Sequence, residues 1–220
     1  VARAGLVNVV VPAVVLQEWK FAPEVHFVVR DASGQSIVIE PLEGKLRVFE
    51  APLGVITNSP RYDWHTTNLR NYVNFSAINA PPVQLGPVKL TGFGQGTGML
   101  GLPGDFTPPS RFVRAVAFSQ TLLPSLMPTG RDAVLQAYHL LNNFDIPKGV
   151  AREEERDAHG NITADYTLWT SAADLKARRY HVRTYENSQI RSIDLLAQPL
   201  DAKEIRRIPL TGQEVIQPLP

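Results

Sequence analysis

Three consecutive segments decide how this chain is read: Val25-His26-Phe27-Val28-Val29-Arg30, Ser36-Ile37-Val38-Ile39-Glu40-Pro41-Leu42 and Lys45-Leu46-Arg47-Val48-Phe49-Glu50. Each is rich in β-branched and aromatic residues. The breaks between them, Asp31-Ala32-Ser33-Gly34 and Glu43-Gly44, have the chemistry of tight turns. Together they predict an antiparallel three-strand meander. Working outward, residues 54–58 (GVITN) read as a fourth, short strand closed by Ser59-Pro60. Residues 64–72 have room for two helical turns, with Asp63 as the cap. Residues 79–109 are Gly- and Pro-rich and predict a long loop, a feature that in compact domains tends to be functional or to contact partners.

Helix is predicted at 111–123, with Ser110 as its cap, and again at 131–143. In the second, Val134, Leu135, Tyr138 and Leu141 follow a 3.6-residue period, and Thr129 stands near its start. Strand patterns resume at 164–171, 178–185 and 189–196. In the middle one Tyr180, Val182 and Thr184 alternate with Arg179, His181 and Arg183, as a half-buried strand requires. Residues 151–161 are too charged for a core and predict an exposed hairpin tip around Gly160. Strands, then two helices, then strands give an α+β layer architecture.

The 220 residues, 44% hydrophobic and 20% charged, are enough for one soluble globular unit with a core that needs no covalent staples. With no cysteine, a disulfide scaffold, a cysteine-liganded zinc and a cysteine nucleophile are all excluded within these residues. Twenty-two basic against 21 acidic groups leave no general attraction to nucleic acid or to an anionic membrane. No apolar run reaches the roughly 18 residues of a membrane span. Residues 6–16 are apolar but interrupted by Asn8 and Pro12, which favours a buried strand or connector over a secretory core. The opening Val1-Ala2-Arg3, without an initiator Met, reads as the start of a fragment or a processed product. Composition fixes no compartment, so cytoplasmic and periplasmic or secreted locations are both compatible.

Several formal motifs weigh little. Gly96, Gly98 and Gly101 satisfy G-x-G-x-x-G, but Leu102-Pro103-Gly104 follows where a dinucleotide site needs a helix to start. The five histidines show neither HExxH nor metal-ligand spacing, and His26 and His181 read as polar positions on a sheet. A Ser-His-Asp reading of Ser59, His65 and Asp63 weighs little, because no nucleophile-elbow sequence is present and residues two apart on a helix do not face each other. Two residues stand out. Asn58 either bonds its own turn or projects an amide from the sheet edge. Arg111 places a cation at a helix start, against the helix dipole, which points to an anionic partner or to simple exposure.

Longer segments in register add a resemblance. Residues 53–64 (LGVITNSPRYDW), 68–72 (NLRNY), 93–98 (FGQGTG), 101–108 (GLPGDFTP), 110–114 (SRFVR), 142–149 (NNFDIPKG) and 165–171 (DYTLWTS) resemble the choloylglycine hydrolase family. That family comprises conjugated bile salt hydrolases and penicillin V acylases, and the similarity runs from about residue 24 to 196. The resemblance implies an αββα four-layer sandwich of the N-terminal-nucleophile hydrolase type, with residues 1–220 as the C-terminal portion of a single domain. It implies a linear-amide C–N hydrolase with no cofactor and no metal, acting on a conjugated bile acid or a penicillin V-like amide. The nucleophile in such enzymes is an N-terminal cysteine whose own amine takes the thiol proton. Asn58 matches the asparagine that helps form the oxyanion hole, and Arg111 the arginine beside the nucleophile. The 79–98 loop matches an insertion that joins subunits into homotetramers. Because no cysteine is present, the resemblance implies that the nucleophile lies in a section N-terminal to Val1 and that these residues alone are inactive. The alternative is a non-catalytic relative that keeps the fold for binding or assembly.

Overall fold

A computed structural model describes every residue except 1–4, 7, 8, 18, 19, 24, 32 and 158. The chain divides into two compact units, residues 1–122 and 123–220.

The first unit is built on the meander. β1 (Phe27–Arg30), β2 (Ser36–Leu42) and β3 (Lys45–Glu50) form an antiparallel sheet in that order. Val38 sits opposite Val28 on one side and Phe49 on the other. The β2–β3 turn works because Glu43 and Gly44 both take positive φ, 52° and 74°, as a two-residue hairpin demands. Central β2 is buried along most of its length, whereas edge strand β1 is exposed throughout. Two helices follow, α1 (Tyr62–Asn68), extended by a 3₁₀ turn at Leu69–Tyr72, and α2 (Pro108–Gln120). Val38, Ala51, Tyr62, Phe112 and Val116 are buried together and form the core, with Phe49, Val55 and Ile56 packed against them. Tyr62 meets Phe49 at 5.9 Å and Phe112 edge-on at 6.0 Å.

A buried carboxylate ties sheet to helix. Glu40, on β2 and only 2% exposed, accepts the Tyr62 N–H through both oxygens at 2.9 and 3.2 Å. It also lies 2.8 Å from His26 Nδ1. Tyr62 is the first residue of α1, whose N-cap position, Arg61, offers no side-chain bond. Glu40 therefore receives one of the helix's otherwise orphaned donors from across the core. Asp63 is not the cap expected from the sequence: the helix starts one residue before it, and its carboxylate pairs with Arg61 and with the Trp64 N–H.

Three further expectations for this unit change. Residues 54–58 join no ladder among the described residues. After β3, Pro52 lacks an N–H, and Gly54 closes a turn onto the Ala51 carbonyl with φ of 64°, so the chain leaves the sheet. The 79–109 stretch is not an irregular loop. Leu85-Gly86-Pro87-Val88 folds a hairpin between β4 (Val83–Leu85) and β5 (Val88–Leu90). Its stem is clamped where Asn79 Oδ1 accepts the N–H groups of Gly96 and Thr97. Gly98 lies so close to the carbonyls of Ser76 and Ile78 that a Cβ there would meet them at 2.4 and 2.2 Å. Finally, α2 starts at Pro108, not 111, because the two prolines occupy positions where a missing N–H costs nothing. Ser110 is a buried first-turn residue, not the cap. The apolar run near the N-terminus forms no strand over 9–15, where Val10 is 74% exposed, so the connector reading holds for that part. Positions 1–4, 7 and 8 lie outside the described residues.

The second unit carries α3 (Gly130–Leu141) packed on β8 (Trp169–Asp174), in a sheet ordered β10 (Asn187–Asp194), β9 (Arg179–Thr184), β8. Thr129 caps α3 in a reciprocal box with Asp132. Val182 is buried on β9, as its alternation predicted. The 151–161 segment belongs to the exposed hairpin of β6 (Ala151–Arg156) and β7 (Ile162–Asp165). The 164–171 pattern splits between β7 and β8, because Thr167 bonds Ile146 through both its N–H and its hydroxyl oxygen. Each unit thus supplies an antiparallel sheet with helix against it, the α+β composition expected.

Candidate functional site

The segment 55–58 ends at Asn58, just before the cis Ser59-Pro60 bond. Its apolar residues, Val55 and Ile56, pack on the core, so Thr57 and Asn58 are delivered to the rim. From the other side comes the first turn of α2, which brings Arg111. The two residues singled out in the sequence meet: Arg111 Nη2 donates to Asn58 Oδ1 at 2.6 Å. Arg111 Nε donates to the Phe106 carbonyl at 2.9 Å, so one planar guanidinium holds two oxygens in fixed directions. Burial, and then the neighbouring Arg114 charge, lower its proton affinity from a value so high that it stays a cation. Simple exposure does not describe Arg111: within the chain it is held by two neutral oxygens and its side chain is half-buried.

The contact also fixes the Asn58 amide. A guanidinium has only donors, so the atom facing it must be the carbonyl oxygen. The Nδ2 group is then the donor end of the same rigid plane. With Oδ1 taken by Arg111, the amide is not spent on its own turn. Both residues line a cavity of about 420 Å³ with Val25, His26, Ile56 and Thr57.

Behind this face the α2 N-terminus is braced. Asp105 accepts from the Thr107 N–H at 2.9 Å and from the Ser110 hydroxyl at 2.6 Å. These bonds hold its pKa down at about 2, first through Ser110 and then through Thr107. Arg114, 7% exposed, donates to the carbonyls of Pro103 at 2.6 Å and Asp105 at 2.8 Å. His65, on α1 and 2% exposed, has Nε2 2.9 Å from the Asn58 carbonyl. Sequence reasoning placed none of these three at the site. His65 entered it only as a member of an implausible triad, and His26 only as a polar strand position. No helical or strand period announces such partners, since each contact crosses an irregular turn of the chain.

This fold belongs to a known class: the chain is a member of the choloylglycine hydrolase family of linear amide C–N hydrolases, whose profile it matches over residues 2–207. It is 42% identical over 183 residues to the bile salt hydrolase/transferase of Clostridium perfringens, covering 82% of this chain and 53% of the relative. It is 38% identical over 189 residues to the bile salt hydrolase/transferase of Lactiplantibacillus plantarum, covering 86% and 55%. Among solved structures, a variant of the conjugated bile acid hydrolase from Clostridium perfringens superposes with a TM-score of 0.72 at 37% identity, over 87% of this chain and 56% of that one. The penicillin V acylase from Agrobacterium tumefaciens gives 0.55 at 20% identity, over 78% and 45%, a likeness of fold alone. The fold is accordingly the α+β, N-terminal-nucleophile hydrolase type that the resemblance implied. The chain spans about half the length of the relatives it matches.

Proposed function

We propose that these residues form part of an amidase that cleaves the linear amide of a conjugated bile acid, using a cysteine nucleophile they do not themselves contain. The observation that carries the reading is the 2.6 Å bond from Arg111 to Asn58 Oδ1, which leaves Asn58 Nδ2 as a donor beside the cavity. The cysteine thiol gives its proton to its own α-amine, and the thiolate adds to the amide carbonyl. The carbonyl oxygen becomes an oxyanion, for which Asn58 Nδ2 is a preorganised donor and Arg111 a nearby cation. Collapse releases glycine or taurine, which takes the proton back, and water then hydrolyses the thioester. Identity of 42% to a bile salt hydrolase, against a likeness of fold alone to a penicillin V acylase, favours bile acid conjugates over phenoxyacetyl amides.

In this reading the two units are portions of one hydrolase domain. The exposed apolar edge strand β1, with Phe27 and Val28 each 49% exposed, is a surface that a further section of that domain would cover. The 79–98 hairpin, with Phe93 fully exposed, is the element that joins subunits into a homotetramer.

The test is steady-state release of glycine or taurine by the full-length protein, wild type and Asn58→Ala. Loss of one oxyanion donor lowers kcat by ~10²–10³ in a variant that still folds. Unchanged turnover removes Asn58 from the mechanism. A mature N-terminus without cysteine, together with no hydrolysis, makes the protein a non-catalytic relative.

A further inference from the structure

We propose that His65 is a positioning residue for the oxyanion donor: as the neutral Nε2–H imidazole, it locks the Asn58 peptide unit to the first turn of α2. The inference rests on the reading of Asn58 given above and goes on to ask what aims it.

The geometry is specific. His65 Nε2 lies 2.9 Å from the Asn58 carbonyl oxygen and 3.4 Å from Thr57 Oγ1. The Thr57 hydroxyl spends its single proton on the Pro108 carbonyl at 3.1 Å, so toward the imidazole it can only accept. Both neighbours of Nε2 are thus acceptors, and the hydrogen must sit on that nitrogen. The opposite nitrogen, Nδ1, is buried with no hydrogen-bond partner among the described residues. An imidazolium would bury a second N–H that no group among the described residues receives. The ring also stacks on Phe112, with centroids 4.7 Å apart and planes 12° from parallel, and Phe112 is the residue next to Arg111.

One imidazole therefore joins three parts of the site: the Asn58 backbone by a hydrogen bond, Pro108 through Thr57, and Arg111 through its neighbour's ring. Burial is the main cause that lowers the His65 pKa. The charged groups that face it are Glu40 from β2, which acts against that shift, and His26 and Arg111, which add to it. The folded pKa lies below the unfolded one. The contribution of His65 is hence complete above about pH 6.5 and is lost as pH falls through the folded value.

The experiment uses the full-length protein as wild type, His65→Leu and His65→Gln, with kinetics on a glycine-conjugated bile acid, thermal melts, and imidazole ¹⁵N shifts. Glutamine keeps an N–H donor of similar reach; leucine keeps only bulk. We expect His65→Leu to lose ~10²-fold in kcat at unchanged KM, the cost of a small misplacement of the donor, and His65→Gln to recover most of it. A leucine variant that turns over like wild type, or parallel losses of kcat in both variants, overturns the proposal. If the leucine variant does not fold, the comparison of glutamine with wild type and the wild-type spectrum still decide. An Nε2–H tautomer that titrates below 6.5 supports the placement. A proton on Nδ1, or ordinary titration, overturns it even if the enzyme is active. A wild-type protein that hydrolyses no conjugate while showing the Nε2–H tautomer sinks the assigned reaction and leaves the His65 lock standing.

Discussion

Arg111 sits where a helix dipole disfavours a cation, and the compensation is visible in its partners. Its Nε and Nη2 reach the Phe106 carbonyl and the Asn58 amide oxygen, at 2.9 and 2.6 Å. Lysine at this position keeps the charge but not the fork, so it can serve one oxygen well and not both. A small misplacement of the Asn58 donor, once one of these two bonds is lost, corresponds to roughly a 10–100-fold change in rate. Arg111→Lys in the full-length protein is accordingly expected to lose about that much kcat while retaining its fold. Stopped-time product analysis with a melting curve checks it, and a lysine variant with native kcat would show that charge alone suffices. At this scale the sequence singled out the two polar residues but did not pair them. They are 53 positions apart, and no periodicity joins a turn residue to a helix start at that distance.

The elements are held at their ends by groups borrowed from elsewhere. Helix α1 has its first N–H received by Glu40 of β2, and α2 is led in by Asp105 three residues before its first proline. Asp105 binds the Thr107 and Ser110 donors as a carboxylate, which depresses its pKa from the usual 3.8 to about 2. Its stabilisation is present above the unfolded value and fades as pH falls through about 2. Chemical denaturation of wild type and Asp105→Asn across that acidic window is the check. The asparagine variant should lose less stability on acidification, and identical pH profiles would remove Asp105 from the account. Elements whose signals are local read well from sequence: β2 and β3 fall on the predicted residues, and Thr129 caps α3. Those whose limits depend on distant partners did not. The 54–58 strand fails for want of a neighbour, and the 164–171 strand breaks where Thr167 turns to Ile146.

For the whole molecule the hairpin of β4 and β5 is the most testable feature. Val83, Leu85, Val88 and Leu90 are all exposed on it, a cluster that a monomer does not normally display. The clamp of Asn79 on Gly96 and Thr97 lies below the hairpin, so removing residues 81–94 leaves the stem able to close. If the full-length protein is the proposed tetramer, that deletion is expected to leave dimers in sedimentation velocity. A tetramer that survives it rules out this interface. What could be read from residues alone was whatever short-range physics governs: alternation for the strands, turn chemistry between them, helical period with its cap, and family motifs that retain side-chain identity in order. The union of Asn58 with Arg111, the burial of His65 behind them and the Glu40 anchor required the folded chain. Each is a through-space contact made only when the chain folds, and no segment of sequence states which group will meet which.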